Sequence, residues 1–436
     1  MNSKMPNNIH STTCLVGRFN AKEGFSYEQL DNDTNNWERV ILSKDDYEML
    51  KRKYYPAHIT AMMQVDGENT SVLHYKLKLN DKICIKLITN YSCELKEVSL
   101  WFFPFDIILF TLKFDDSGTK LNDLTKMHSM WKEWSSNYST FYTARLEQLL
   151  EPLSKNTASG KADSLTKEET KIRQYQVLQI DGKELDDDLL YEIGTFSPVG
   201  VVKYPDPRRS FKPSDKYFKK TIEENIVSVY SNWKALALND SFTVLTIDDI
   251  YEDSELDEHG DGYRYFDLLY MRCLFEEYYC FDRNNLFRNQ EFINVDEQLE
   301  EIKEMERNYF YDDLSYDFLP PLMLRAIDKG LGLQGDREEL TQHIKQSYEE
   351  MQDKKEMQRR KIIEFVVSMV QVLAVFSISG TVYQLLIASW DCLDCPLTAI
   401  ITFAIAFVTS VLIISVLIKN RRQKNDNEKR TSTNCL

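Results

Sequence analysis

Basic residues are in short supply in this chain. Its 53 lysines and arginines face 69 aspartates and glutamates, a net charge of -16 over 436 residues. That balance is unfavourable for a phosphate backbone, so no direct nucleic-acid binding is expected, and cations or local basic patches become the partners of interest. An apolar stretch is missing from residues 1–13, so no secretory signal peptide is expected. Histidine is rare: His10, His58, His74, His128, His259 and His343 are dispersed and suggest no metal cluster. No GxxxxGK[ST], HExxH or GxSxG occurs, so nothing in the sequence argues for an enzyme. The eight cysteines are scattered apart from Cys392 and Cys395. Such scatter suits a reducing compartment for the bulk of the chain.

Apolar residues, by contrast, are plentiful. A hydrophobic fraction of 43%, with 12% aromatic residues, is ample for a folded core. The length allows two or three domains. The N-terminal two-thirds reads as mixed α/β. Segments 73–80, 82–90, 98–114, 174–180 and 241–247 are rich in β-branched and aromatic residues and read as strands. Segments 121–150 and 216–237 read as helices, and polar 154–170 as a loop. A further helix is expected over 284–309 and a long one over 336–390. In the long one, Leu340, Ile344, Tyr348 and Met351 recur at helical spacing.

Three local motifs stand out. Gly330, Gly332 and Gly335 match GxGxxG formally, but a helical stretch precedes them and Asp336, Glu338 and Glu339 follow. A helix C-cap and hinge is the better reading. The acidic run 248–261 could hold a divalent cation or be a solvated loop, and it lacks the ligand pattern of an EF-hand. The segment 204–220 is a basic island with interleaved aromatics. Arg208, Arg209 and Lys212 are its candidate nucleotide- or phosphate-binding residues, against the plainer reading of a solvated basic loop.

Two apolar segments dominate the C-terminus: 362–390, charged only at Glu364, and 397–418, with no charge. Each reaches the roughly 20 residues that a bilayer core requires. Basic flanks and a loop without basic residues place both termini in the cytoplasm, which predicts a two-span protein of the cell inner membrane. At 100° per residue, Ser377, Thr381 and Gln384 share one face and are the expected pore-lining residues; packing against neighbouring helices is the other reading. Asp391 and Asp394 would form an outer cation mouth, and Cys392 and Cys395 would be structural thiols or a disulfide, with metal or redox chemistry as the other reading. Two helices cannot enclose a water-filled path, so conduction would require a homo-oligomer. The expected organisation is an α/β domain (1–283), a helical stalk region (284–361), a two-helix transmembrane domain (362–418, as 362–390 and 397–418) and a basic tail (419–436).

This plan resembles the CorA family of magnesium transporters over residues 336–430: a long helix entering the first span, a short outer loop, a second span and a basic tail. The resemblance implies a funnel-shaped homopentamer, with magnesium or another divalent cation as the transported or regulatory ion. The family's Gly-Met-Asn signature is absent; Ala388-Ser389-Trp390-Asp391-Cys392 stands in its place. Relatives lacking the tripeptide include a branch linked to type III CRISPR systems. The similarity to that branch implies an antiviral defence channel gated by a nucleotide second messenger bound to the cytosolic part. A housekeeping transporter with an altered filter is the alternative. A membrane-tethered binding domain without a pore is the other.

Overall fold

Alternation along the first strand organises the fold. β1 (Ile9–Arg18) sends Cys14 and Val16 into one apolar cluster and Leu15 into another. This is the period-2 consequence of an extended backbone with both faces covered. The computed structural model describes residues 9–19, 26–34, 36–67, 70–79, 83–88, 91–116, 119–134, 172–180, 185–202, 213–247, 263–288, 295–310, 313–389, 400, 404, 405, 407 and 408.

Nine more strands join β1 in one sheet: β2 (Trp37–Arg39), β3 (Leu73–Leu77), β4 (Ile83–Ile88), β5 (Tyr91–Phe102), β6 (Ile108–Asp115), β7 (Arg173–Ile180), β8 (Ile226–Val227), β9 (Trp233–Ala237) and β10 (Ser241–Thr246). Their order is β2-β3-β5-β6-β1-β7-β10-β9-β8, with β4 paired to β5. The β7–β10 pair is parallel and the other pairs are antiparallel. The parallel pair needs a long crossover.

That crossover carries α5 (Asp187–Gly194) and α6 (Asp215–Asn225). The other helices are α1 (Tyr27–Asn32), α2 (Lys44–Leu50), α3 (Pro56–Met62), α4 (Leu121–Trp134), α7 (Tyr263–Arg288), α8 (Val295–Asn308), α9 (Leu319–Leu331) and α10 (Leu333–Ser389). Polar N-caps start several of them: Ser43, Asp186 and Ser214 accept from the backbone N–H of Asp46, Asp188 and Tyr217. On one face of the sheet, Leu124 and Met127 of α4 and Leu190 and Ile193 of α5 pack with Leu15, Phe110 and Leu112. On the other, Leu268, Phe275 and Tyr279 of α7 and Met323 and Ile327 of α9 pack with Val16, Leu109 and Phe242. Three layers result. α7 is the innermost helix, held to the sheet by Arg18–Asp282 (2.5 Å) and by Arg173–Glu277.

The described chain falls into two compact units, Met1–Ile344 and Lys345–Leu436. Among the described residues, no helix is long and apolar enough to cross a membrane. This corrects the expected transmembrane pair 362–390 and 397–418, and with it the inner-membrane location and the ion-channel character. In the first segment, Glu364 and Gln371 stand among the described residues of α10. In the second, only Ile400, Ala404, Ile405, Phe407 and Val408 are described.

Smaller corrections concern elements of the α/β part. The helix expected over 216–237 ends at Asn225, and Trp233–Ala237 is strand β9, paired antiparallel with β10. Cross-strand pairing there overrides the helix preference of Lys-Ala-Leu-Ala. Within the helix expected over 284–309, α7 ends at Arg288 and α8 begins at Val295. β1 is a strand that the sequence reading did not anticipate.

One buried ring makes acid sensitivity a property of this fold. His58 of α3 is 1% exposed, lies 5.0 Å from the Tyr54 ring, and has neither ring nitrogen hydrogen-bonded within the described structure. Burial, and then the charge of Arg272, push its pKa well below the ordinary value of 6.5. Folded His58 therefore stays neutral while the unfolded chain takes up a proton, so stability is lost as pH falls below the unfolded value. The expected loss is about 1.4 kcal/mol per pH unit until folded His58 itself titrates. Denaturant midpoints of the native chain and His58→Phe between pH 7.5 and 5 measure it. Parallel curves for the two would refute it.

Candidate functional site

A cleft opens where the crossover helices meet α9. Its floor is the end of α5, its wall is α6, and its rim is the β9–β10 turn. Its volume of about 460 Å³ falls in the range of small-molecule sites, roughly 300–1,000 Å³.

The floor is fixed by backbone constraints. A Cβ on Gly194 would lie 2.9 Å from Leu236 Cδ2, so the helix end approaches β9 closely. The Ser241 hydroxyl donates to Gly194 O at 2.6 Å. Phe196 follows in the left-handed region at φ 56°, an uncommon conformation for an aromatic residue. Its ring meets His128 edge-on at 6.1 Å. His128 belongs to a buried polar knot under the floor: the Thr13 hydroxyl donates to Asp116 Oδ2 (2.8 Å) and lies 2.9 Å from His128 Nε2. Gln176 spans to Thr243 Oγ1 at 2.6 Å. Thr13, His128 and Gln176 are all fully buried, so they support the floor rather than face the cleft. Beside them, Glu192 accepts from Gly200 N (2.7 Å) and Val202 N (2.8 Å), fastening the segment after α5; burial raises its pKa.

The wall carries the chemistry. Tyr217, Lys220, Thr221, Glu224 and Asn225 line the cleft from α6, which Ser214 caps and which a Tyr191–Phe218 ring contact at 5.0 Å holds against α5. Tyr217 is 62% exposed, so its ring is available to stack. Lys220 reaches Glu224 at 4.0 Å, and Lys329 reaches the same carboxylate at 3.7 Å. The rim adds Asn239 and Asp240. An aromatic face, an accessible cation, amides and two carboxylates thus converge on one space. Stacking, phosphate pairing and recognition of hydroxyl or amino groups are all within reach of this set.

The residues singled out from sequence distribute unevenly. Ser377, Thr381 and Gln384 lie on α10 and are exposed, and the Thr381 hydroxyl donates to Ser377 O at 2.9 Å, within its own helix. The pore role expected of them presupposes membrane spans and is not carried further. Asp391, Asp394, Cys392, Cys395, Arg208, Arg209 and Lys212 lie outside the described residues, as do the acidic run 248–261 and the loop 154–170. Tyr217 and Lys220, at the end of the basic-aromatic island, do line the cleft. Sequence reading did not single out Thr195, Phe196, Glu224, Asn239 or Asp240, which carry no local signature. Among the described residues no group of three or more His, Cys, Asp or Glu could hold a metal ion. Burial raises the thiol pKa values of Cys14, Cys273 and Cys280, which makes these thiols unreactive. Comparison of the chain with family models, with curated proteins and with solved structures yields no match, and so bears neither way on the resemblance drawn from its sequence.

Proposed function

We propose that the Met1–Ile344 unit is a receptor for a small nucleotide, bound in the cleft between α5, α6 and α9. The observation that carries this reading is the convergence of Tyr217, Lys220, Glu224, Asn239 and Asp240 on a space of about 460 Å³. Tyr217 offers a stacking face for a base, and Lys220 a cation for a phosphate. Glu224 and Asp240 suit ribose hydroxyls or an exocyclic amine, and they disfavour a polyphosphate. A nucleotide of low charge is therefore the best fit. The channel expected from sequence is not part of this reading; what remains of it is the sensing of a nucleotide by the α/β part.

Titration calorimetry of the full chain with AMP, cyclic AMP and ATP tests the reading. AMP or cyclic AMP is expected to bind more tightly than ATP. Tyr217→Ala is expected to weaken binding by about tenfold or more, since a stacked base contributes about 1–3 kcal/mol. Lys220→Ala should weaken AMP binding and leave adenosine binding little changed. Absence of heat with every nucleotide, or binding indifferent to Tyr217→Ala, would refute the proposal.

A further inference from the structure

Glu224 stands where the energetics of its own helix disfavour it. It occupies the last turn of α6, where unpaired carbonyls make a negative charge unfavourable. Its partner on that helix is Lys220, four residues earlier, and an acid C-terminal to its lysine is the weaker order for such a pair. Local structure therefore gives no reason for a carboxylate at this position. The reason lies on α9. Lys329 is in the last turn of that helix, next to Gly330, which lines the cleft. Glu224 Oε1 is 4.0 Å from Lys220 Nζ, and Oε2 is 3.7 Å from Lys329 Nζ. One carboxylate thus bridges two cations carried by two helices.

The charges at the cleft balance. Lys220 and Lys329 are matched by Glu224 and by Asp240 on the rim. No cation is to spare, so a phosphate gains the two lysines only by taking the place of Glu224. The geometry permits that exchange. Both contacts are longer than the ~2.7–2.9 Å of a charge-assisted hydrogen bond. The side chains of Lys220, Lys329 and Glu224 are 67%, 52% and 43% exposed. Ion pairs this open to water are weak, and a competing anion displaces them readily.

We propose that Glu224 is the charge gate of the cleft: its carboxylate is the built-in counter-ion of Lys220 and Lys329, and a nucleotide binds its phosphate there by displacing it. The strength of that competition sets how much negative charge the cleft admits. The inference rests on the nucleotide reading of the cleft and names the residue that decides between nucleoside, monophosphate and triphosphate. It also assigns Lys329 as the second phosphate partner beside Lys220. Glu224→Gln keeps the side-chain shape, removes the competing charge and leaves two lysines against Asp240.

Calorimetric titration with adenosine, AMP and ATP is compared for the full native chain, Glu224→Gln, Lys329→Met and the double variant. The quantity read is the ratio of AMP affinity to adenosine affinity, in which a general loosening of the cleft or a lost ribose contact cancels. Glu224→Gln is expected to raise this ratio by roughly tenfold, and the ATP to adenosine ratio by more, because a like charge has left the phosphate's side. Lys329→Met is expected to lower the ratio, and by a larger factor in the Glu224→Gln background, where Lys329 no longer has a carboxylate to share. Should Glu224→Gln fold poorly, Lys329→Met alone carries the test, and an unchanged ratio there overturns the inference. Native binding of AMP and adenosine with a ratio that Glu224→Gln leaves unchanged or lowers would overturn it too, and would leave the cleft reading standing. Absence of binding by all three ligands to the native chain would overturn both.

Discussion

Glu276→Ala is expected to cost ~3–5 kcal/mol of stability, the penalty for leaving a buried charge without its partner. The carboxylate is 1% exposed and divides its two oxygens between two arginines. Oε1 accepts from Arg272 Nε at 3.1 Å, and Oε2 accepts from Arg337. Arg272 is itself 1% exposed and also donates to Tyr309 O. Arg337 donates in addition to Asp328 Oδ2 at 2.8 Å. Removing Glu276 takes from buried Arg272 the carboxylate to which its Nε donates. The network joins α7 to α9 and to the first turns of α10, so its loss should also loosen those helices. Denaturant unfolding read by Trp fluorescence measures the cost, and amide exchange across 319–344 reads the loosening. Glu276→Gln, which keeps volume and one acceptor, should fall between the native chain and the alanine variant. A loss below about 1 kcal/mol, typical of a solvent-exposed pair, would show that water reaches the network.

How far such features could be read from sequence depends on how local their causes are. The strands over 73–80, 98–114, 174–180 and 241–247 were legible because β-branched and aromatic runs carry their own signature, and the turn at residues 103–107 leaves two strands where one run was visible. The long helix expected over 336–390 emerges as Leu333–Ser389, since no Gly or Pro interrupts Asp336 to Lys361. The ion-pair network was not legible. Glu276 and Arg337 lie 61 positions apart, and Arg18 and Asp282 lie 264 apart, so no window of sequence joins them. α7 hides its role for another reason: with both of its sides buried, it shows no single apolar stripe. The apolar residues Ile362, Phe365, Val366, Met369 and Leu373 belong to the segment 362–390 that the sequence reads as a membrane span. The structure describes them as exposed on α10. The cleft was half visible. Tyr217 and Lys220 belong to the basic-aromatic island, but Phe196 and Asp240 reach it through the crossover and a turn, which depend on the whole sheet.

The glycine motif gives the sharpest test of that distinction, because three glycines within six positions meet three different fates. Gly330→Ala is expected to destabilise the chain by about 1–3 kcal/mol, the usual cost of forcing an extra carbon into a packed contact. Helix propensity alone predicts the reverse, a gain of roughly 0.5–1 kcal/mol from replacing a helical glycine. Packing decides the sign: a Cβ at Gly330 would sit 2.6 Å from Ala237 C and 2.7 Å from its carbonyl oxygen, and backbone cannot turn aside as a side chain can. α9 would have to move off the end of β9. Asn239 and Asp240 come just after Ala237 and Leu238 in the chain, and Gly330 lines the same cleft, so nucleotide affinity should fall together with stability. Gly332 is the left-handed C-cap of α9 at φ 80°, with nothing within 4 Å of an added Cβ, so alanine there meets backbone strain and no clash. Gly335 lies within α10, has open space and no positive φ, and its alanine variant should be stabilised by about 0.5–1 kcal/mol. Three denaturation curves and one calorimetric titration separate these roles. A stabilised Gly330→Ala would mean that α9 yields freely, and the close packing that shapes the cleft would then lose its physical basis.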